Sequence, residues 1–249
     1  MHYYTYEGVP CHTVVGSNKK TRSTSLRDAR KLNLFPSATT ILSLLSKDAL
    51  IGYFRKQILE AAINNPFHPE MSNKDEWCAL IASKSDEHRN KAAEMGNKVH
   101  SWMESYFGEG VVQQEEYTST AIGKIHHLFP DYKWQVEKTF AHPLGFGGSV
   151  DLHGVNNSNE WVVIDYKTKD VEDLNKVIQY EEHKLQLSGY MVGLDLPKNT
   201  RMFNCFISVN EHSKGECVFV EHKEHEKYRK MFCLLVEYWK LKNDYSPKM

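Results

Sequence analysis

With 249 residues the chain is long enough to bury a sizeable core, as one large domain or two small ones. Its 41% hydrophobic and 25% charged composition is ordinary for a soluble globular protein, and a net charge of −1 excludes a surface that is basic all over while allowing a local basic groove. Cys11, Cys78, Cys205, Cys217 and Cys233 form no CxxC pair and no Cys/His zinc spacing, as expected of free thiols in a reducing cytosol; no apolar run approaches membrane length, and Met1-His2-Tyr3-Tyr4 does not begin a signal or transit peptide.

Residues 1–16 alternate and are rich in aromatics, which suits one short strand or a hairpin broken at Gly8-Val9-Pro10. Residues 17–31 carry Lys19, Lys20, Arg22, Arg27, Arg30 and Lys31 against one acid, Asp28, and read as a flexible basic loop. Such a loop is either a solvated surface or a segment that docks on phosphates. Ser37, Thr39 and Thr40 cap a helix, and a second runs from Ser46-Lys47-Asp48 to about Asn64, with Leu50, Ile51, Phe54, Ile58 and Ala61 at helical spacing. A short helix is expected over residues 73–82 and a long one over 85–107, whose apolar stripe is Ala92, Met95, Val99, Met103 and Phe107. His100 lies at the margin of that stripe, one turn after Gly96. A helix over residues 115–129 carries His126 and His127, which as neighbours face different ways and read as surface residues.

The chemistry begins after Pro130. Residues 132–141 and 146–153 alternate as two strands around a Pro143-Leu144-Gly145 turn, and Gly145, Gly147 and Gly148 allow a bend or close backbone approach near Asp151. Asn156-Asn157-Ser158-Asn159 then turns the chain into a further strand, residues 161–169, so that Asp151 comes nearly across from Asp165. Side chains two apart on a strand share a face, which brings Lys167 to the same side as Asp165. Two carboxylates that close repel unless a cation lies between them, and clustered carboxylate oxygens suit a hard divalent metal such as Mg²⁺ or Mn²⁺. A lysine beside such a metal can orient or deprotonate a water, the equipment for metal-assisted phosphodiester hydrolysis. A helix over residues 174–193 carries Tyr180, Gln186 and Tyr190, the last two one turn apart on one face. Strands over 201–209 and 216–220, joined at His212-Ser213-Lys214-Gly215, and an amphipathic helix over 223–242 complete the chain.

Four motifs in this order, Gly96-Asn97-Lys98-Val99-His100, Asp151, Asp165-Tyr166-Lys167 and Gln186-Leu187-Ser188-Gly189-Tyr190, resemble the PD-(D/E)xK nuclease superfamily, most closely its RecB-like exonuclease branch. That branch includes phage recombination exonucleases and the mitochondrial genome maintenance exonuclease. Two departures are the absence of the proline before Asp151, where the chain reads Ser149-Val150, and Asp165 where many members have Glu. The resemblance implies an α/β fold: a restriction-endonuclease-like core with a central mixed β-sheet flanked by helices and a helical N-terminal half. It implies a single nuclease domain over 1–249, with a mainly helical part over 1–130 and the sheet core and last helix over 131–249.

It further implies a metal held by His100, Asp151, Asp165 and the backbone carbonyl of Tyr166, with Glu137 a candidate for the surrounding shell. Lys167 would position the attacking water, and Gln186 and Tyr190 would contact DNA or steady the lysine. Thr168, Lys169, Lys19, Lys20 and Arg22 are candidate nucleic-acid contacts. The implied cofactor is Mg²⁺ or Mn²⁺, with the imidazole tilting preference toward Mn²⁺ and the scattered thiols arguing against an iron–sulfur cluster. The implied activity is a DNA exonuclease of recombination, repair or phage replication, acting on linear single- or double-stranded DNA in a bacterial or phage-infected cytosol. A recombination or single-strand-binding protein is an implied partner, a membrane is not, and the oligomeric state is left open. A structure-specific endonuclease and an inactive DNA-binding derivative are the alternatives.

Overall fold

The computed structural model describes residues 1–46, 48–68 and 73–249, so the Lys47 step of the second predicted helix start lies outside it. The chain forms two compact units, residues 45–98 and the remainder. In the larger unit β1 (Tyr3–Tyr4) pairs antiparallel with β4 (Phe35–Pro36), and β2 (Thr13–Val15) with β3 (Thr21–Ser23).

The basic stretch is therefore not a loop. Lys19 and Lys20 sit at the tip of the β2–β3 hairpin, and residues from Leu26 to Leu32 form α1. The reason is local: Ser25 accepts from the Asp28 N–H while the Asp28 carboxylate accepts from the Ser25 N–H, a complete capping box, and Arg22 pairs with the same Asp28 at 2.6 Å. Helix α2 (Ala38–Leu42) starts on the Ser37 cap, as its sequence implies.

The smaller unit holds α3 (Asp48–Asn64) and most of α4 (Lys74–Glu109). The two helices expected over 73–107 are one. No Gly or Pro interrupts residues 82–85, and Ser85 turns its hydroxyl back onto the Ala82 carbonyl at 2.9 Å, which satisfies it without breaking the helix. Within this unit the Trp77 indole donates to the Asn65 carbonyl at 2.8 Å, while Ile51 and Ile58, expected in a core, are exposed.

After α5 (Glu115–Leu128) comes the sheet: β5 (Lys133–His142), β6 (Phe146–Val155), β7 (Trp161–Lys169), β8 (Arg201–Ser208) and β9 (Cys217–His222), in that spatial order. It is mixed, with β7 and β8 parallel and the other pairs antiparallel. Val162, Val163 and Ile164 are wholly buried, as a strand covered on both faces requires, each contributing roughly 1.5–3 kcal/mol of burial. A parallel pair needs a crossover, and α6 (Glu181–Gly193) supplies it.

The helix expected over 174–193 begins only at Glu181. Asp173 caps a 3-10 turn at Leu174–Lys176, and the β-branched Val177 and Ile178 follow with Val177 in extended backbone, leaving Tyr180 at the N-cap of α6. Helix α6 is buried from Leu185 to Gly193 and packs on β6, β7 and the last helix, α7 (His225–Asn243). Among the described residues no helix is long and apolar enough to cross a membrane.

The fit of α6 is close enough to test. A Cβ placed on Gly193 would fall 1.9 Å from the Phe140 ring of β5. Gly193→Ala is expected to cost at least the ~1–3 kcal/mol typical of an overpacked core, read as a lowered midpoint in chemical denaturation.

Candidate active site

The β6–β7 ladder ends at Leu152↔Ile164, one residue short of Asp151 and Asp165. Beyond that point the Tyr166 N–H finds the Asp151 carboxylate instead, donating to Oδ2 at 2.8 Å. The Asn/Ser turn thus sets the register the sequence implies, and the two acids meet where the strands stop pairing.

Helix α4 brings His100 to the same place. Its Nδ1 lies 3.4 Å from Asp151 Oδ2 and its Nε2 lies 3.1 Å from the Tyr166 carbonyl. Both ring nitrogens therefore face oxygen acceptors, yet a neutral imidazole has one N–H. The arrangement is satisfied by an imidazolium or by a cation set between Nδ1 and the carboxylate. Burial lowers the His100 pKa, but the hydrogen bond and charge of Asp151, with that of Asp165, outweigh it and raise it overall. Burial pushes Asp151 up, and the His100 hydrogen bond together with the His100 and Lys167 charges brings it net below the usual carboxylate value.

Glu137 comes to Asp151 from β5. In the β5–β6 pair Val136↔Leu152 and Lys138↔Val150 are partners, and Glu137 between them is skipped because its backbone has turned to φ +43°. A non-glycine in that region inside a strand is strained, and such strain gathers at functional sites. Ser149 donates to Glu137 Oε2 at 2.6 Å. Burial raises the Glu137 pKa, the Ser149 bond opposes the rise, and the Asp151 and Glu104 charges add to it.

His100, Glu137 and Asp151 each offer a ligand atom within 4.8 Å of the others. One imidazole nitrogen and two carboxylate oxygens, under mutual repulsion, fit a divalent cation. Glu137 thus stands in the tight group, where the sequence placed it outside the ligand set. Asp165 stands just outside it: the carboxylate is 1% exposed and its Oδ2 accepts from Lys167 Nζ at 2.7 Å and from Asn204 Nδ2 at 2.8 Å. Burial raises the Asp165 pKa, the Lys167 charge opposes this, and the Asp151 charge reinforces it. The Lys167 ammonium, despite burial, is held above its ordinary value by Asp165 and Asp151. The Tyr166 carbonyl is engaged by the His100 ring.

Helix α6 completes the cluster. Gln186 Oε1 accepts from Lys167 Nζ at 3.1 Å, and Gln186 Nε2 donates to the Tyr190 hydroxyl at 2.6 Å. Both are buried, which matches steadying the lysine better than touching DNA. Lys169, at the end of β7, lies over the Tyr180 ring at 5.7 Å, and burial lowers its pKa. Thr168 neighbours it at the same strand end. Lys19, Lys20 and Arg22 are exposed on their hairpin, and the Arg22 charge is taken up by Asp28. His126 is exposed and meets the Tyr106 hydroxyl at 2.9 Å.

Sequence reasoning passed over Asn204, His222 and Ser149. A signal for the first was present: an Asn inside the apolar strand Arg201–Ser208 is a polar group at a core position, and burial without a partner would be costly.

No protein-family model and no curated protein matches the sequence. Among solved structures the chain is similar to the crystal structure of SSO0001, with a TM-score of 0.37 and 15% identity over 81% of this chain and 89% of that one. It is similar also to an alkaline exonuclease, LHK-Exo, from Laribacter hongkongensis, with a TM-score of 0.38 and 14% identity over 84% of this chain and 92% of that one. The structure of LHK-Exo in complex with dAMP gives a TM-score of 0.34 and 15% identity over 76% and 91% of the two chains.

Proposed function

We propose that this protein is a divalent-metal-dependent deoxyribonuclease, acting on linear DNA as an exonuclease in recombination, repair or phage replication. The observation that carries the reading is the meeting of His100, Glu137, Asp151, Asp165 and Lys167, drawn from one helix and three strands, where β6 and β7 part. Random surface acids have no reason to gather round a half-buried lysine and an imidazole.

His100, Asp151 and Glu137 would hold the cation, with Asp165 completing the acidic set. Bound there, Mg²⁺ or Mn²⁺ would supply the Lewis acidity that polarises a phosphodiester and makes water a stronger acid. The residues supply the rest. Lys167 has three N–H bonds, of which one meets Asp165 and one Gln186, and the third holds the attacking water. Its charge also opposes the negative charge that grows on the phosphate oxygens. Gln186, fixed by Tyr190, keeps the ammonium from swinging away. Thr168 and Lys169 meet the strand next to the scissile bond, and Lys19 and Lys20 add salt-dependent attraction.

End-labelled linear duplex and single strands, with and without Mg²⁺ or Mn²⁺, test the reading beside a closed circular plasmid. Release of labelled nucleotide only with metal, and an intact circle, is the expected result. A nicked circle means an endonuclease, and DNA binding without hydrolysis under either metal means an inactive derivative.

A further inference from the structure

Behind Asp165 lies a buried polar column that none of the proposed chemistry uses. Asp165 on β7 is the register partner of Asn204 on β8, and Asn204 Nδ2 donates to Asp165 Oδ2 at 2.8 Å. Asn204 Oδ1 in turn meets His222 Nε2, at the end of β9, at 2.8 Å. Asn204 is 0% exposed and His222 3% exposed, so both polar groups have been taken from water into the sheet. That costs free energy unless every donor and acceptor is matched.

The matching permits one arrangement. A carboxylate accepts and cannot donate, so the amide must turn its NH₂ to Asp165 and its oxygen to the histidine. The histidine must then carry its proton on Nε2. Read backwards, the His222 N–H locks the amide, and the amide locks the carboxylate. Lys167 reaches the same Oδ2 at 2.7 Å, so two donors converge on one oxygen. The carboxylate plane is fixed, and with it the point on which the Lys167 ammonium rests.

We propose that Asn204 and His222 are positioning residues that act through Asp165, holding its carboxylate, and by way of it Lys167, in the orientation that serves the divalent cation and the attacking water. This rests on the nuclease reading. Outer-shell partners of this kind are worth about 10- to 100-fold in metal affinity or rate.

The test uses the full-length protein with four variants. Asn204→Ala is expected to lower kcat about 10- to 100-fold and to weaken Mn²⁺ binding in isothermal titration, with the KM for DNA unchanged. His222→Leu should behave as Asn204→Ala does. His222→Gln, whose amide N–H can replace the ring N–H, should regain most of the rate. The double variant Asn204→Ala/His222→Leu should be no worse than Asn204→Ala alone, because both act through one bond. Thermal melts keep folding losses apart from these effects. The proposal is overturned if Asn204→Ala keeps wild-type kcat and Mn²⁺ affinity while melting earlier, or if His222→Gln is as impaired as His222→Leu. If the wild type binds Mn²⁺ but cleaves no DNA, the nuclease reading falls, and weaker Mn²⁺ binding by Asn204→Ala still upholds the positioning role. A wild type that binds no Mn²⁺ removes both.

Discussion

Lys167→Ala is expected to lower single-turnover DNA cleavage by about 10³-fold, the scale on which a positioned proton-handling or charge-stabilising group contributes to catalysis. DNA affinity, measured by fluorescence anisotropy with Ca²⁺ in place of the active metal, should stay within about twofold. The separation follows from the lysine's place. Its ammonium is tied to Asp165 at 2.7 Å and Gln186 at 3.1 Å, so it serves the reacting phosphate rather than the DNA backbone at large. Removing it also takes away the main cation that opposes the Asp151 charge at Asp165, which favours the protonated carboxyl and weakens the site a second time. Gln186→Ala, which only loosens the lysine, should cost far less, about tenfold. Wild-type rates in Lys167→Ala would remove the proposed mechanism, while a loss of DNA affinity equal to the loss of rate would make the lysine a binding residue.

What made these residues legible was the strand period. Once the Asn156–Asn159 turn is seen, an alternation of two fixes Asp151 opposite Asp165 and puts Lys167 beside it, and the observed register agrees. The five strands of the sheet and α5 were equally open, because Pro130, Gly145, the Asn/Ser turn and the His212-Ser213-Lys214-Gly215 turn punctuate them. Two things were hidden for physical reasons. Glu137 enters the tight ligand group through a backbone turned to φ +43°, and no period reports a residue that leaves its strand's geometry. Asn204 and His222 reach Asp165 across the sheet from β8 and β9, a contact set by the parallel crossover rather than by local spacing. The failures in the helical parts had nearer causes. A capping box built on Asp28 orders a segment whose charge suggested a loop, and Ser85, read as the start of a helix, sits inside one.

Stability should fall steeply between about pH 6.5 and pH 4, and buried histidines are the cause. Burial pushes His153 down to about 4, His183 to about 3 and His222 to about 4, with nearby cations such as Lys167 and Lys169 adding to the effect at His183. In the unfolded chain each titrates near 6.5, so below that pH the unfolded state binds protons that the native state refuses. The contribution of each ring is thus complete above about 6.5. It is lost at roughly 1.4 kcal/mol per pH unit until the folded value is reached. Glu137 and Asp165, whose pKa values are raised, work in the opposite sense and take back part of the loss as they protonate in the native state. Together the three rings forfeit about 10 kcal/mol between pH 6.5 and pH 4, less what the two carboxyls recover, which is enough to unfold a protein at the lower end of the ordinary ~5–15 kcal/mol range. His183→Phe isolates one ring: it lies against Tyr180 and Phe206, at 5.4 Å and 5.5 Å between ring centres, so an apolar aromatic suits the site. Urea unfolding at pH 7.5 and pH 5.0 should show a smaller stability difference in His183→Phe than in the wild type, by about 2 kcal/mol for the 1.5 units between 6.5 and 5.0. An unchanged difference would mean that this histidine is protonated in the native state, and that its burial does not govern the acid transition.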